Sequence, residues 1–206
     1  MSAACRAPRT AANLRRAAKL TVGAAVAALV LTACGNGGTS GGGNNTNFVS
    51  STGGISTVEK AERHDAPTLT GKDLTGKPLS TDDYKGKVLV INIWGSWCSP
   101  CRLEAKYFAQ VAKETKGKDV QFIGINTRDP KSGSAIAFEK DYGITYPSFY
   151  DPSGRLLLKY DKGILNPQGI PNTLVVDRDG KLAARSLKAL NAKSLHELID
   201  PVIAEK

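Results

Sequence analysis

The sequence predicts an α/β fold in which a mixed central sheet is flanked by helices. Two short apolar runs, residues 88–93 and 120–126, have the composition of strands buried on both faces, and each precedes a segment with helical spacing. Residues 169–177 lead through an Asp-Gly turn into the extended segment 182–186, which is typical of an antiparallel hairpin. The amphipathic segment 194–204 is predicted to be a C-terminal helix. This succession of strands and helices along the chain predicts a mixed sheet with helices on both faces.

A pair of cysteines follows the first buried run. That run ends at Gly95, and Cys98 and Cys101 come directly after it. Pro100 suits the first turn of a helix, where its missing N–H is not needed, and Ser99 is predicted to cap that helix. The Cys-x-x-Cys pair therefore lies where a central strand turns into a helix.

This position favours redox chemistry. A helix N-terminus stabilises negative charge, so it is expected to lower the pKa of Cys98. Cys98 is also predicted to be the more exposed of the two thiols and hence the nucleophile. Cys101, one turn inside, is predicted to resolve the mixed disulfide. One alternative is half a zinc site, but no second cysteine pair or nearby histidine supplies the other ligands. The other is a structural disulfide, although a two-residue loop constrains little chain entropy.

Residues 94–101, Trp-Gly-Ser-Trp-Cys-Ser-Pro-Cys, resemble the thioredoxin superfamily, and in particular its TlpA/ResA-like branch, which is exported to the cell envelope. The resemblance runs from about residue 66 to the C-terminus. It implies a thioredoxin-like fold with an added N-terminal hairpin and a central α/β insert. Extended segments at 68–70 and 78–79 match the hairpin, with an irregular surface loop as the alternative. Helical segments at 135–142 and 155–160, with an extended piece at 146–150, match the insert.

Two further residues are predicted to shape client docking. Pro171 precedes a buried strand, where a trans proline would lose a ladder hydrogen bond, so a cis Ile170–Pro171 bond is predicted. The resemblance implies that this proline faces the dithiol and that the Ile170 backbone holds a client polypeptide as an added strand. The alternative is an ordinary trans turn. Trp97 is predicted to shield the sulfur and offer a flat apolar contact, together with Pro100, whereas Trp94 is assigned to the core.

Glu104 is the candidate for proton transfer. It follows Cys101 by three residues and shares its helical face, and no lysine or arginine lies three or four residues onward to pair with it. A partly buried carboxyl there would have a raised pKa and could move thiol protons. Ordinary thioredoxins carry a buried aspartate on the preceding strand, where this chain has Asn92, so the resemblance transfers the role to Glu104. The alternative is a solvated helix glutamate.

The N-terminal region predicts export and anchoring. Residues 1–33 combine five basic residues with a short apolar stretch, which fits a signal peptide. Residues 31–34, Leu-Thr-Ala-Cys, resemble a lipoprotein signal in which Cys34 becomes the lipidated N-terminus. The alternative is a plain secretory signal with an incidental cysteine. Residues 34–65 are predicted to be a flexible tether and residues 66–206 the thioredoxin-like domain.

Charge and cysteine content limit the classes of partner that this protein is expected to bind. Loss of the five basic residues in 1–33 lowers the formal charge from +9 to +4, and no basic run is interleaved with aromatics, so nucleic acid is excluded as a partner. After processing, Cys98 and Cys101 are the only thiols left, which indicates a redox pair in an exported protein. No metal or organic cofactor is required. The predicted partners are protein thiol and disulfide clients, a membrane protein that donates or accepts electrons, and the membrane itself.

The resemblance implies an extracytoplasmic thiol–disulfide oxidoreductase anchored in the cell membrane by lipid. Pro100 directly before Cys101, with no histidine between the cysteines, favours a reductase. The resemblance to the ResA-like branch implies the haem-attachment cysteines of apocytochrome c as the client. A thiol oxidase for exported proteins is one alternative. A copper-binding chaperone of the same fold is a second, but the wider thiol spacing and facing histidine of such proteins are not visible. A thiol peroxidase is a third, but the residues before Cys98 lack the proline and threonine that activate a peroxidatic cysteine.

Overall fold

The computed structural model describes residues 46–205. These residues contain nine strands and three α-helices, together with four short 3₁₀ helices. In chain order the strands and α-helices are β1 Val49–Ser50, β2 Ile55–Thr57, β3 Thr70–Lys72, β4 Pro78–Ser80, β5 Val88–Trp94, α1 Ser99–Glu114, β6 Val120–Thr127, α2 Ser132–Tyr142, β7 Ser148–Asp151, β8 Asn172–Val176, β9 Leu182–Ser186 and α3 Ala192–Ala204.

Strand β5 lies inside a seven-stranded mixed sheet whose order is β1-β2-β9-β8-β5-β6-β7. It pairs in parallel with β6 and antiparallel with β8, so that Asn92 lies opposite both Gly124 and Thr173. Strand β7 extends the parallel side, and the remaining neighbours are antiparallel. All seven residues of β5 are buried, which confirms the predicted central strand and the mixed sheet.

The two faces of the sheet are covered differently. On one face, Val88 and Val90 pack with Phe108 of α1 and Leu195 of α3. Trp94 lies on the same face of β5 as these valines, because it follows them by an even number of positions, and it packs against helix α2. On the opposite face, Leu89, Ile91 and Ile93 of β5 pack against the β3–β4 hairpin and against the segment that contains the 3₁₀ helix Leu157–Lys159.

The hairpin and the insert expected from the resemblance are present. Strands β3 and β4 pair antiparallel, which excludes an irregular surface loop. Helix α2 and strand β7 form the insert. The prediction of a helix at 155–160 is only partly right, because the structure has a single 3₁₀ turn, Leu157–Lys159. The Asp151 carboxylate accepts the backbone N–H groups that precede this turn, and Leu156, Leu157 and Tyr160 are all buried against the sheet.

The folded domain begins earlier than residue 66. Strand β2 pairs antiparallel with β9, and β1 pairs with β2, so part of the predicted tether belongs to the main sheet. Ile55 and Val58 are buried there, with 6% and 3% of their surface exposed. Backbone hydrogen bonds to β9 and these two apolar side chains hold the segment in place. Neither feature is evident from the sequence, because the rest of the segment is polar. The prediction of a flexible tether is therefore wrong for the described residues of this segment.

A buried ion cluster also fixes this segment. The Arg63 guanidinium donates to Asp177 Oδ2 at 2.9 Å and to both Glu205 carboxylate oxygens at 2.6 and 2.7 Å. Its Nε donates to the Val58 carbonyl at 3.1 Å. Only 6% of the Arg63 side chain is exposed. The cluster therefore joins the first described segment to the end of β8 and to the residue that follows α3.

The predicted signal peptide, Cys34 and the start of the tether lie outside the described residues. Between residues 46 and 205, no helix is both long enough and apolar enough to cross a membrane.

Candidate active site

The two cysteines lie at the junction of β5 and α1 and form a disulfide, with their Cα atoms 5.3 Å apart. The sulfur of Cys98 accepts the backbone N–H of Cys101 at 3.2 Å, so Cys98 itself caps the helix. Ser99 is the first helical residue, which corrects its predicted role as the cap. Pro100 lies in the first turn as predicted. The cap hydrogen bond places the Cys98 sulfur at the positive end of the helix dipole, where a thiolate is stabilised.

Both cysteines are largely covered. Cys98 is 3% exposed and Cys101 1% exposed, so the predicted difference in access is small in the disulfide form. The neighbouring Trp97 is 52% exposed, and its indole lies across Gly95. A Cβ at Gly95 would come within 2.7 Å of the indole nitrogen, so only glycine allows this position of the ring. The surface beside Cys98 is therefore an exposed aromatic plane.

The Ile170–Pro171 peptide bond is cis, as the sequence predicts. The Cys98 sulfur lies 3.7 Å from the Ile170 carbonyl oxygen. This contact brings the loop before β8 against the dithiol, although the two segments are 72 residues apart in the chain. Cys98 and Ile170 are thus neighbours, and the region around Cys98, Trp97 and Ile170 is called the docking groove below.

Glu104 is buried, with 1% of its surface exposed, so the alternative of a solvated glutamate is wrong. Its Oε1 accepts from the Asn92 side-chain amide at 2.9 Å, and its Oε2 accepts from the Leu190 backbone N–H at 3.0 Å. Burial raises the pKa of Glu104 from 4.5 to about 7, and the two hydrogen bonds oppose that shift. The carboxyl can therefore exchange a proton near neutral pH, on the helical face that it shares with Cys101.

The cis-proline loop is organised by Asn172, which the sequence analysis did not single out. This fully buried side chain donates to the carbonyls of Asn166 and Gly169 at 3.1 and 2.7 Å and accepts the Asn166 backbone N–H at 3.2 Å. A Cβ at Gly169 would come within 2.7 Å of the Asn166 amide nitrogen, so the loop is closely packed. The only signal in the sequence is an asparagine directly after the proline, at the start of an otherwise apolar strand.

The loop in front of Cys98 is held by Asp129, a second residue that the sequence analysis missed. Its carboxylate accepts the Ser96 backbone N–H at 2.8 Å, the Ser96 hydroxyl at 2.5 Å and the Asn126 side-chain amide at 2.6 Å. Asp129 is 2% exposed. These bonds connect the end of β6 to the approach to the dithiol, across 33 positions of sequence. Asp129 looks from sequence like an ordinary loop aspartate.

Trp94 belongs to the core, as predicted. It is 1% exposed and stacks on Phe138 of α2, with the ring centroids 4.5 Å apart. Among the described residues there is no group of three or more histidine, cysteine or acidic side chains that could hold a metal ion.

A family model described as AhpC/TSA matches residues 63–185, which include the dithiol, Glu104 and the cis-proline. The chain belongs to the AhpC/TSA family. This family membership and the described topology confirm a thioredoxin-like fold. The thiol-disulfide oxidoreductase ResA of Bacillus subtilis (strain 168) is 29% identical over 140 residues, which cover 68% of this chain and 75% of that protein.

Solved structures point to the same type within the family. A DsbF homologue from Corynebacterium diphtheriae is 35% identical, with a TM-score of 0.67 over 75% of this chain and 98% of that one. A secreted thiol-disulfide isomerase from Corynebacterium glutamicum is 29% identical, with a TM-score of 0.69 over 77% of this chain and 98% of that one. The chain is therefore a thiol–disulfide oxidoreductase of the ResA and DsbF type, with Cys98 and Cys101 as its disulfide-forming pair.

Proposed function

We propose that this protein reduces disulfides in polypeptide clients on the outer side of the cell membrane. The observation that carries the direction is the Ser99-Pro100 pair between the cysteines. No histidine lies there to add thiolate stabilisation, and the Ile170 carbonyl oxygen, 3.7 Å from the Cys98 sulfur, presents a negative partial charge. A less stabilised thiolate makes a dithiol more reducing.

The proposed reaction begins with the reduced protein. The Cys98 thiolate attacks one sulfur of a client disulfide, a new S–S bond forms, and the other client sulfur leaves as a thiolate. Cys101 then attacks the Cys98 sulfur, the Cys98–Cys101 disulfide forms, and the second client thiolate is released. Two electrons pass to the client. Glu104 is proposed to accept the proton that Cys101 loses, because its raised pKa of about 7 allows it to change charge near neutral pH.

Client binding is proposed to use the docking groove. The Ile170 backbone would pair with an extended client segment, and Trp97 would cover the segment with its exposed ring, beside Pro100 and Pro171. A dithiol that has been oxidised by a client must be reduced again, so a membrane electron donor is proposed as the second partner. The thiol chemistry itself needs no metal or organic cofactor.

The extracytoplasmic location is proposed from the signal-like residues 1–33 and from relatives that include a protein described as secreted. Lipidation of Cys34 would hold the protein at the membrane. The apocytochrome c haem-attachment cysteines are proposed as clients because of the resemblance to the ResA-like branch.

Oxidation of exported proteins is the second candidate. It is favoured by the position of the Cys98 sulfur at the N-terminus of α1, which stabilises a thiolate and so raises the reduction potential. The DsbF homologue and the isomerase among the similar structures are consistent with either direction.

Equilibration of the purified protein with a glutathione redox buffer tests the direction. The reductase proposal predicts a reduction potential nearer the roughly −270 mV of thioredoxin than the roughly −120 mV of strong oxidants. A potential above about −180 mV, together with oxidative refolding of a reduced client, would favour the oxidase instead. A copper titration of the reduced protein separates both candidates from a copper chaperone, which would bind the metal tightly through the two thiols.

A further inference from the structure

Two arginine side chains flank the loop that precedes Cys98. Arg102 donates from Nε to the Ser96 carbonyl at 3.2 Å, and its guanidinium carbon lies 5.9 Å from the Phe138 ring centroid. The guanidinium carbon of Arg128 lies 5.1 Å from the Trp97 ring centroid. Both side chains are exposed, so the approach to the dithiol carries positive charge on two sides.

Arg128 also reaches the loop that precedes the cis-proline. Its terminal nitrogens lie 3.3 and 3.4 Å from the Gln168 carbonyl oxygen and 3.5 Å from that of Pro167. These distances are long for hydrogen bonds from a charged donor, so the guanidinium can exchange them for a better acceptor. A chain that pairs with Ile170 and approaches Cys98 would pass within reach of this side chain.

The nearby acidic groups do not neutralise this charge at the surface. Asp129, the residue next to Arg128, is 2% exposed, and its carboxylate oxygens are occupied by Ser96 and Asn126. Glu104 is buried on the side of α1 that faces Asn92 and Leu190. The cations are thus exposed, whereas these two carboxyls are buried.

We propose that Arg128 is a specificity-determining residue that selects client segments with a carboxylate side chain next to the reacting cysteine. The proposal rests on the proposed function, because it assumes that polypeptides dock in the groove. A planar guanidinium held against Trp97 can bind a carboxylate through two parallel N–H groups, which an ammonium cannot do. Attraction of this kind raises the rate of encounter and fixes the position of the client relative to Cys98.

The test compares three peptide disulfides that are identical except for Glu, Gln or Lys beside the reacting cysteine. Their kcat/KM values are measured with the full chain and with Arg128→Gln, Arg128→Lys and Lys116→Gln. Lys116→Gln is the matched control, because it removes one exposed positive charge beyond the far end of α1, about 24 Å from the dithiol. A ratio of peptides is used because a disturbed loop would slow all three together.

In the unsubstituted protein, kcat/KM should be about threefold higher for the Glu peptide than for the Gln peptide at low salt, and it should be lowest for the Lys peptide. The preference should disappear in Arg128→Gln, persist in Lys116→Gln, survive in part in Arg128→Lys, and fall at about 0.5 M salt. Equal ratios in the unsubstituted protein and Arg128→Gln would overturn the proposal and leave the proposed function intact. Failure of the unsubstituted protein to reduce any of the three peptides would instead overturn the proposed function, and this selectivity with it.

Discussion

Glu104 accepts a hydrogen bond from the Asn92 side chain at 2.9 Å, across the interface between α1 and β5. The carboxyl also accepts the backbone N–H of Leu190, the residue before the cap of α3, so one buried acid connects the dithiol helix to the central strand and to the start of the C-terminal helix. Neither partner carries a charge. An uncompensated buried carboxylate is costly, and this cost keeps the group titrating near neutral pH.

Glu104→Gln should change the pH dependence of thiol reactivity. Above pH 7 the carboxylate adds negative charge beside Cys101 and disfavours its thiolate, so the pKa of that thiol should fall when the charge is removed. The inflection near pH 7 in the rate of alkylation of the reduced protein should disappear. Glu139→Gln is the control, because burial also raises the pKa of Glu139 to about 7 but this residue lies on α2. A profile that is unchanged by Glu104→Gln would remove the residue from the proposed proton transfer.

The same pKa shift predicts how stability depends on pH. The folded protein holds the Glu104 proton up to about pH 7, whereas the unfolded chain releases it near 4.5, so this group's contribution is complete below about pH 4.5 and is lost as the pH rises to 7. The loss is on the order of 3 kcal/mol. Urea unfolding between pH 4.5 and 7.5 should show a shallower decline in Glu104→Gln. A decline as steep as in the unsubstituted protein would contradict the assignment. The raised pKa of Glu139 contributes to the pH dependence in the same direction, so the stability of the double variant Glu104→Gln/Glu139→Gln should change even less with pH.

The parts of this fold that sequence predicts are those with a local signal. The buried run of β5, the dithiol at its end and the cis-proline before β8 each follow from residues adjacent in the chain. Glu104 could be found because its helix offers it no charged partner at the next turn. The hydrogen bonds of Glu104 to Asn92 and Leu190 could not be predicted, since they depend on how α1, β5 and the segment before α3 pack together.

The missed features depend on distant contacts. Asp129 acquires its role by bonding to Ser96, and Asn172 by folding back onto a loop whose shape only the tertiary structure sets. Strand β2 was missed because its partner is β9, more than 120 positions away in the chain, and its glycine-rich, polar surroundings are typical of a linker. In each case the local sequence has no unusual feature, and the role of the residue or strand becomes visible only from its partner elsewhere in the chain.

Arg63→Ala should destabilise the protein strongly. The substitution leaves the buried Asp177 carboxylate without its cation and releases the Glu205 carboxylate, so the free energy of unfolding should fall by about 3 kcal/mol in urea titration. Lys181→Ala is the control, because it breaks the exposed pair with Asp65 and should barely move the unfolding midpoint. Similar midpoints for the two variants would mean that the Arg63 cluster does not fix the first segment.

Cys34→Ala should release the protein from the membrane. If Cys34 is the lipidated residue, the variant should either remain unprocessed or appear in the soluble extracytoplasmic fraction, whereas Cys5→Ala, a change within the predicted signal peptide, should leave the distribution unaltered. Fractionation and mass determination of the mature N-terminus measure both outcomes. A mature chain that begins well beyond residue 34 and carries no lipid would contradict the anchor.

The central claim is that Cys98 exchanges disulfides with polypeptide clients and that Cys101 resolves the complex. Trapping in the two single variants measures it directly. Cys101→Ser should accumulate mixed disulfides with a peptide or protein client through Cys98, identified by non-reducing electrophoresis and mass spectrometry, because the resolving thiol is missing. Cys98→Ser should accumulate few, since Cys101 lies inside the first turn of α1, whereas the Cys98 sulfur lies at the N-terminus of this helix, where a thiolate is stabilised. Stable capture through Cys101 in Cys98→Ser, with none in Cys101→Ser, would contradict the account.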